Sequence, residues 1–155
     1  MKCRTIILSS LVIALGTAST VAAQERKIKR SQLPPAVEKT VGEQSQGATI
    51  KGFSTEMEKG QRVYECEMTI NGLTKDILID SKGNVIEVEE QVAMDSLSQP
   101  VKDSLTKAAG GGTIGMIESL TKNGTLVAYE GHVKRGLKRF EIQVGPNGEK
   151  LAHPE

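Results

Sequence analysis

Few side chains in this chain could do covalent or coordination chemistry. His132 and His153 are its two histidines, and Cys66 is its only cysteine besides Cys3. A catalytic thiol needs a base within hydrogen-bond reach, and neither histidine lies in the same half of the sequence as Cys66. Cys66 instead shares the phase of Tyr64 and Met68, which puts it on the inward side of a strand, where a thiol behaves as a small apolar residue. A histidine metal centre needs further ligands converging at about 2.0 Å with oriented outer partners. His132 falls on the outward phase of its strand and His153 in the terminal tail, so no metal is expected at either. Gly110-Gly111-Gly112 follows a helical pattern and is not succeeded by Gly-Lys-Ser/Thr, which excludes a phosphate cradle. No catalytic set and no cofactor are expected, and the chain is not expected to be an enzyme.

What remains is charge on a regular scaffold. Glu65, Glu67, Glu87, Glu89 and Glu90 gather on outer strand positions. Paired carboxylates do general acid–base work only where burial splits their pKa values. A solvated strand face does not supply that, so these residues form either a solubilising surface or a docking face for a basic partner or a cation. Lys134, Arg135, Lys138 and Arg139 make a basic hairpin around Gly136. It has no interleaved aromatics on which bases could stack, so nucleic acid is not the expected partner. Over the whole chain 20 basic residues face 19 acidic ones. The balance is uneven along it: residues 24–30 carry four bases and one acid, residues 31–92 six and eleven, residues 93–155 eight and seven.

The elements that must hold these groups are legible from spacing. Leu33, Val37 and Val41 place one apolar stripe on a helix, as do Leu97, Val101, Leu105 and Ala108. Pro35 and Pro100 fit a first helical turn, and Gly47 and Gly110 fit the stops. Strands are expected around Ile50–Met57, Tyr64–Ile70, Leu73–Ile79 and Val85–Glu89. The second half echoes them around Ile114–Leu120, Tyr129–Val133 and Phe140–Val144. Asn71-Gly72 is a tight-hairpin signal, and Ser81-Lys82-Gly83-Asn84 and Pro146-Asn147-Gly148 read as turns. The halves align: Leu33 with Leu97, Val37 with Val101, Val41 with Leu105, and Tyr64-Glu65 with Tyr129-Glu130, 65 residues on. The expected fold class is α+β: a tandem repeat of helix plus four-stranded antiparallel sheet, with the helices packed on one sheet face.

The N-terminus reads as a secretory signal. Lys2 and Arg4 precede the apolar run Ile6–Leu15, and Val21-Ala22-Ala23 offers small residues for cleavage before Gln24. That run is too short for a membrane span, which needs about 20 residues. The expected organisation is a signal peptide at 1–23, a basic spacer at 24–30, and two units at 31–92 and 93–155. Loss of Cys3 with the signal leaves Cys66 without a partner for an internal disulfide. The periplasm or the extracellular space is the expected location.

The order Tyr64-Glu65, Asn71-Gly72, Ile77–Ile79, then Asp80 through Gly83 to Val85 resembles the PepSY signature. Tyr129-Glu130, Gly136, Ile142–Val144 and Gly145-Pro146-Asn147-Gly148 resemble it a second time, with Gly145 in place of Asp80. Both halves are similar to the PepSY-like and β-lactamase-inhibitor-like superfamily over nearly all of residues 31–152. The resemblance implies a secreted or envelope binding module that acts on a protein, in some relatives a peptidase that it inhibits or helps to fold. The chain departs from the inhibitors in having few aromatic residues to build a contact face. The expected function is therefore a non-enzymatic binding module, a protease inhibitor or regulator in type. Its contact residues would be Glu65, Glu67, Thr69, Asn71, Gly72, Lys134, Arg135 and Gly136. The alternative is a cation or small-ligand carrier that uses the acidic face of the first half.

Overall fold

The computed structural model describes residues 25–155, so the expected signal peptide lies outside the described residues. Eight antiparallel strands form one sheet in sequence order: β1 Arg26–Lys27, β2 Thr49–Glu58, β3 Gln61–Ile70, β4 Leu73–Asp80, β5 Val85–Gln91, β6 Thr113–Lys122, β7 Thr125–Arg135 and β8 Lys138–Val144. Helix α1, Pro35–Gln44, follows β1, and helix α2, Gln99–Ala109, lies between β5 and β6.

This corrects the expected fold class. The chain is not a tandem repeat of helix plus four-stranded sheet; it is a single, mostly β structure with two short helices. β5 and β6 pair directly, from Glu87 opposite Lys122 to Gln91 opposite Glu118. An unpaired β5 edge and an unpaired β6 edge would each expose a row of backbone donors and acceptors, and their union removes both. Among the described residues the second half has three strands, β6 to β8, where four were expected, and the stretch after the turn at Gly148 forms none. The eighth strand comes from the other end. Arg26-Lys27, within the stretch read as a spacer, pairs with Ser54 and Thr55 of β2.

Both helices begin later than their apolar stripes. Leu33 and Leu97 are extended, with ψ of 138° and 156°. Pro34 and Pro35 account for the first, since a residue before proline is pushed out of the α region. Leu33 and Leu97 still pack with their respective helices, so the stripe is continued by a non-helical residue.

Val37 and Val41 of α1 pack on Phe53, Tyr64, Cys66, Met68, Ile77 and Ile79. Val101 and Leu105 of α2 pack on Ile117 and Val144. Residues directly opposite in an antiparallel ladder share a side of the sheet. Pairing of Ile77 with Val88, Glu90 with Ser119, Ser119 with Tyr129 and Tyr129 with Val144 carries that side across the sheet. The helices therefore cover one side and leave the other to solvent. Val37, Val41 and Leu105 are 0% exposed, and burial of each contributes about 1.5–3 kcal/mol.

Each helix is pinned to a turn beneath it. Thr40 Oγ1 donates to the Gly83 carbonyl at 2.6 Å, and Ser104 Oγ to the Gly148 carbonyl at 2.6 Å. Both glycines have positive φ, 90° and 84°, and a Cβ would lie 2.8 Å from the Ala36 oxygen in one case and 2.5 Å from the Pro100 oxygen in the other. Only glycine allows these turns to approach the helices so closely.

Candidate functional site

The helix-free side of the sheet is a lattice of carboxylates. Alternation along each strand sends Ser54 and Glu56 of β2, Glu65 and Glu67 of β3, Asp76 and Leu78 of β4, Glu87 and Glu89 of β5, Glu118 of β6, Glu130 and His132 of β7, and Glu141 and Gln143 of β8 to this side. Glu67, Asp76 and Glu89 stand directly opposite one another across three strands. Like charges in such positions destabilise a sheet unless something offsets them. Lys27 lies 3.8 Å from Glu67, and Lys122 lies 3.5 Å from Glu87. Asp76, Glu89 and Glu56 form no ion pair among the described residues.

The electrostatic consequence follows. Burial, with repulsion from Glu65, pushes the Asp76 carboxyl up to about 6. Burial, with repulsion from Glu118, Glu87, Glu130 and Asp76, pushes Glu89 up to about 7. Burial also raises Glu56 and Glu65, although Ser54 Oγ donates to Glu65 Oε2 at 2.6 Å and partly opposes the second shift. Glu56, Glu65, Asp76, Glu87 and Glu89 surround Leu78 in a hollow of about 210 Å³.

A second polar cluster lies beside the first. Glu118 is 5% exposed yet fully engaged: Thr74 Oγ1 donates to its Oε1 at 3.1 Å, and His132 Nε2 lies 2.9 Å from its Oε2. Gln143 Nε2 donates to Glu130 Oε2 at 2.6 Å, and Glu141 lies 3.6 Å from His132 Nδ1. Burial lowers the His132 pKa, but the Glu118 hydrogen bond and the charges of Glu118, Glu130 and Glu141 outweigh it, and the net shift is upward. Three sets of side chains bring ligand atoms within 4.8 Å of one another and could hold a cation: Glu118–Glu130–His132, Glu25–Glu65–Glu67 and Asp76–Glu89–Glu118.

The structure distributes the expected contact residues as follows. Glu65, Glu67 and Thr69 share the helix-free side, Thr69 standing opposite Thr74. Asn71 and Gly72 form the β3–β4 turn with φ of 53° and 84°. Lys134, Arg135 and Gly136 lie at the β7–β8 turn, which the antiparallel order places at the same end of the sheet as Asn71. Lys134 follows the carboxylate side, whereas Arg135 turns back: its guanidinium sits 5.4 Å from the Phe140 ring centroid and donates to the Gly110 carbonyl at 3.2 Å. Glu90, grouped with the outer acids by sequence, faces the helix side and pairs with Lys75 at 2.7 Å. Sequence reasoning missed Asp76, Glu118 and Glu130. Their phase was available, since inward Ile77, Ile117 and Tyr129 force their neighbours outward. The β5–β6 pairing that sets Glu118 near Glu89 was not.

Cys66 is buried and its thiol is pushed up to about 11 by burial, which suits a core residue and not a nucleophile. Asp80 is a turn anchor: its Oδ1 accepts from the Lys82 and Asn84 backbone amides at 2.8 and 2.9 Å. Where the second half has Gly145, Glu149 plays this part from the far side of the turn, accepting from the Asn147 amide at 2.9 Å.

No family model and no curated protein matches the chain. The tandem PepSY-like reading thus finds no support there, while solved structures share the fold. A DUF2874 family protein from Bacteroides ovatus is 16% identical, with a TM-score of 0.58 over 76% of this chain and 84% of that one. A proposed periplasmic protein from Bacteroides eggerthii is 13% identical, with a TM-score of 0.60 over 75% and 84%. A BLIP-like protein from Bacteroides fragilis is 20% identical, with a TM-score of 0.53 over 76% and 82%. At these identities the likeness is one of fold, and it agrees with the β-lactamase-inhibitor-like half of the resemblance.

Proposed function

We propose that the protein is a non-enzymatic periplasmic module that docks a cationic segment of another protein on the helix-free side of its sheet. The observation that carries this reading is the pair Asp76 and Glu89: two adjoining, half-buried carboxylates that form no ion pair among the described residues and that burial and neighbouring acids hold above the usual carboxylate range. Perturbed groups of this kind cluster at functional sites. A lysine or arginine brought by a partner would offset the repulsion, so part of the cost of the free face returns as affinity. The sheet fixes the face before contact, so little ordering entropy opposes docking.

The periplasmic assignment leans on the fold shared with the Bacteroides eggerthii protein and on the N-terminal sequence; a protein partner leans on the fold shared with the BLIP-like protein. The partner class we favour is an envelope or secreted peptidase that the module inhibits or regulates. The β3–β4 and β7–β8 turns, at one end of the sheet, would flank such a partner. The test is an inhibition and binding panel against secreted metalloproteases. Saturable binding at micromolar levels that Glu56→Lys with Glu89→Lys abolishes is the expected result. Binding unaffected by those changes would refute the use of this face.

Asp76, Glu89 and Glu118, with ligand atoms within 4.8 Å, favour a second reading in which a divalent cation occupies the face. Calorimetry with divalent cations separates the two: heat lost in Glu89→Gln supports the cation, and absence of heat in the native chain removes it.

A further inference from the structure

The β7–β8 turn is the counterpart of the acidic hollow in both charge and shape. Lys134, Lys138 and Arg139 are exposed there, and none of them forms an ion pair among the described residues. Leu137 stands at the apex, 103% exposed, the most exposed large apolar side chain described. A two-residue turn with Gly136 at φ 61° holds it out. A single exposed leucine is ordinary on a protein surface; what distinguishes this one is the ring of exposed Lys134, Lys138 and Arg139 around it.

The hollow offers what this knob lacks. Its floor is Leu78, its rim is Glu56, Glu65, Asp76, Glu87 and Glu89, and its volume is about 210 Å³. Within one chain the two cannot meet. Four strand spacings separate β8 from β4, about 19 Å at about 4.8 Å each. The turn projects from the end of the sheet that carries Asn71, whereas Glu56, Leu78 and Glu87 lie toward the opposite end.

We infer that the acidic hollow also receives the β7–β8 turn of a second copy of this chain, with Leu137 seated over Leu78 and Lys134, Lys138 and Arg139 on the rim carboxylates. This rests on the reading of the helix-free side as a docking surface, for which the second copy and a peptidase would compete. The contact is head-to-tail, so each added copy presents a new turn and a new hollow, and assembly proceeds stepwise unless a ring closes.

Sedimentation of the chain recovered from the cell envelope tests it. The native protein should associate with rising concentration and dissociate as salt is raised. Leu137→Asp with Lys138→Glu should weaken association at least about tenfold. Both positions are exposed, and circular dichroism checks that the fold is kept. Glu56→Lys with Glu89→Lys should do the same from the other side. Mixed together, the two variants should form a one-to-one pair that grows no further, because each retains one intact surface. A native chain that stays monomeric to about 1 mM, or association indifferent to the turn variant, overturns the inference. Hexalysine separates it from the reading beneath it. A monomeric chain that binds hexalysine, and loses it in the Glu56→Lys, Glu89→Lys variant, keeps the docking face and removes the second copy. A chain that binds neither removes both.

Discussion

Replacing Glu89 with glutamine should make the protein more stable at about pH 8 and leave its stability nearly unchanged at about pH 4. The carboxyl is raised from 4.5 to about 7, first by burial and then by Glu118, Glu87, Glu130 and Asp76. A carboxyl that holds its proton more tightly when folded favours folding while it is protonated and penalises it once ionised. The penalty is therefore absent below about pH 4.5, grows through the interval, and is complete above about pH 7. At 1.36 kcal/mol per pH unit the ceiling is about 3 kcal/mol. Glu89 is partly solvated and shares its repulsion with Asp76, which brings the expected gain to about 1–2 kcal/mol. Asp76, raised from 3.8 to about 6, acts with the same sign. His132 does too: a raised histidine stabilises below its unfolded pKa, and that contribution is lost as pH rises through the folded value. The native chain should thus weaken between about pH 5 and 8. Urea unfolding at both pH values reads the effect as a midpoint shift of about 0.5–1 M at constant slope. A native chain that gains stability over that interval, or a Glu89→Gln variant that is less stable at pH 8, would refute the claim that this face is held under charge repulsion.

Other outcomes follow from the packing. Gly148→Ala should cost more than about 2 kcal/mol by urea unfolding, since its φ is 84° and the new methyl would meet the Pro100 oxygen at 2.5 Å. Leu105→Ala, at a position 0% exposed, should cost about 2–5 kcal/mol and should loosen α2 first in hydrogen exchange. Cys66 should resist thiol reagents at neutral pH in the folded protein and react at once in denaturant, because burial pushes its thiol up to about 11.

The local elements were legible because their signals are local. Strand phase followed from Tyr64, Cys66 and Met68 alternating with Glu65 and Glu67, and turn positions followed from Asn71-Gly72 and Gly83. How the strands join is not a local property. Nothing in Val85–Gln91 names Thr113–Lys122 as its neighbour, yet that pairing turns two expected units into one sheet and lays the acids of both halves on one surface. Glu90 was misplaced for a related reason. Glu87, Glu89 and Glu90 cannot all point one way in a strand, and register decides that Glu90 goes to Lys75 on the helix side. Cys66 read as core and is core, while His132 read as a plain outward histidine and is tied to three glutamates.

The most direct test of the docking face is site-specific photocrosslinking in living cells, from a probe at Leu78 on the acid-lined hollow and from one at Lys39 on the exposed side of α1. Crosslinks from position 78 should land on peptides rich in lysine or arginine, should disappear in the Glu56→Lys, Glu89→Lys background, and should be lacking from position 39. Crosslinks that arise only from position 39, or that persist from position 78 after charge reversal, would contradict the account.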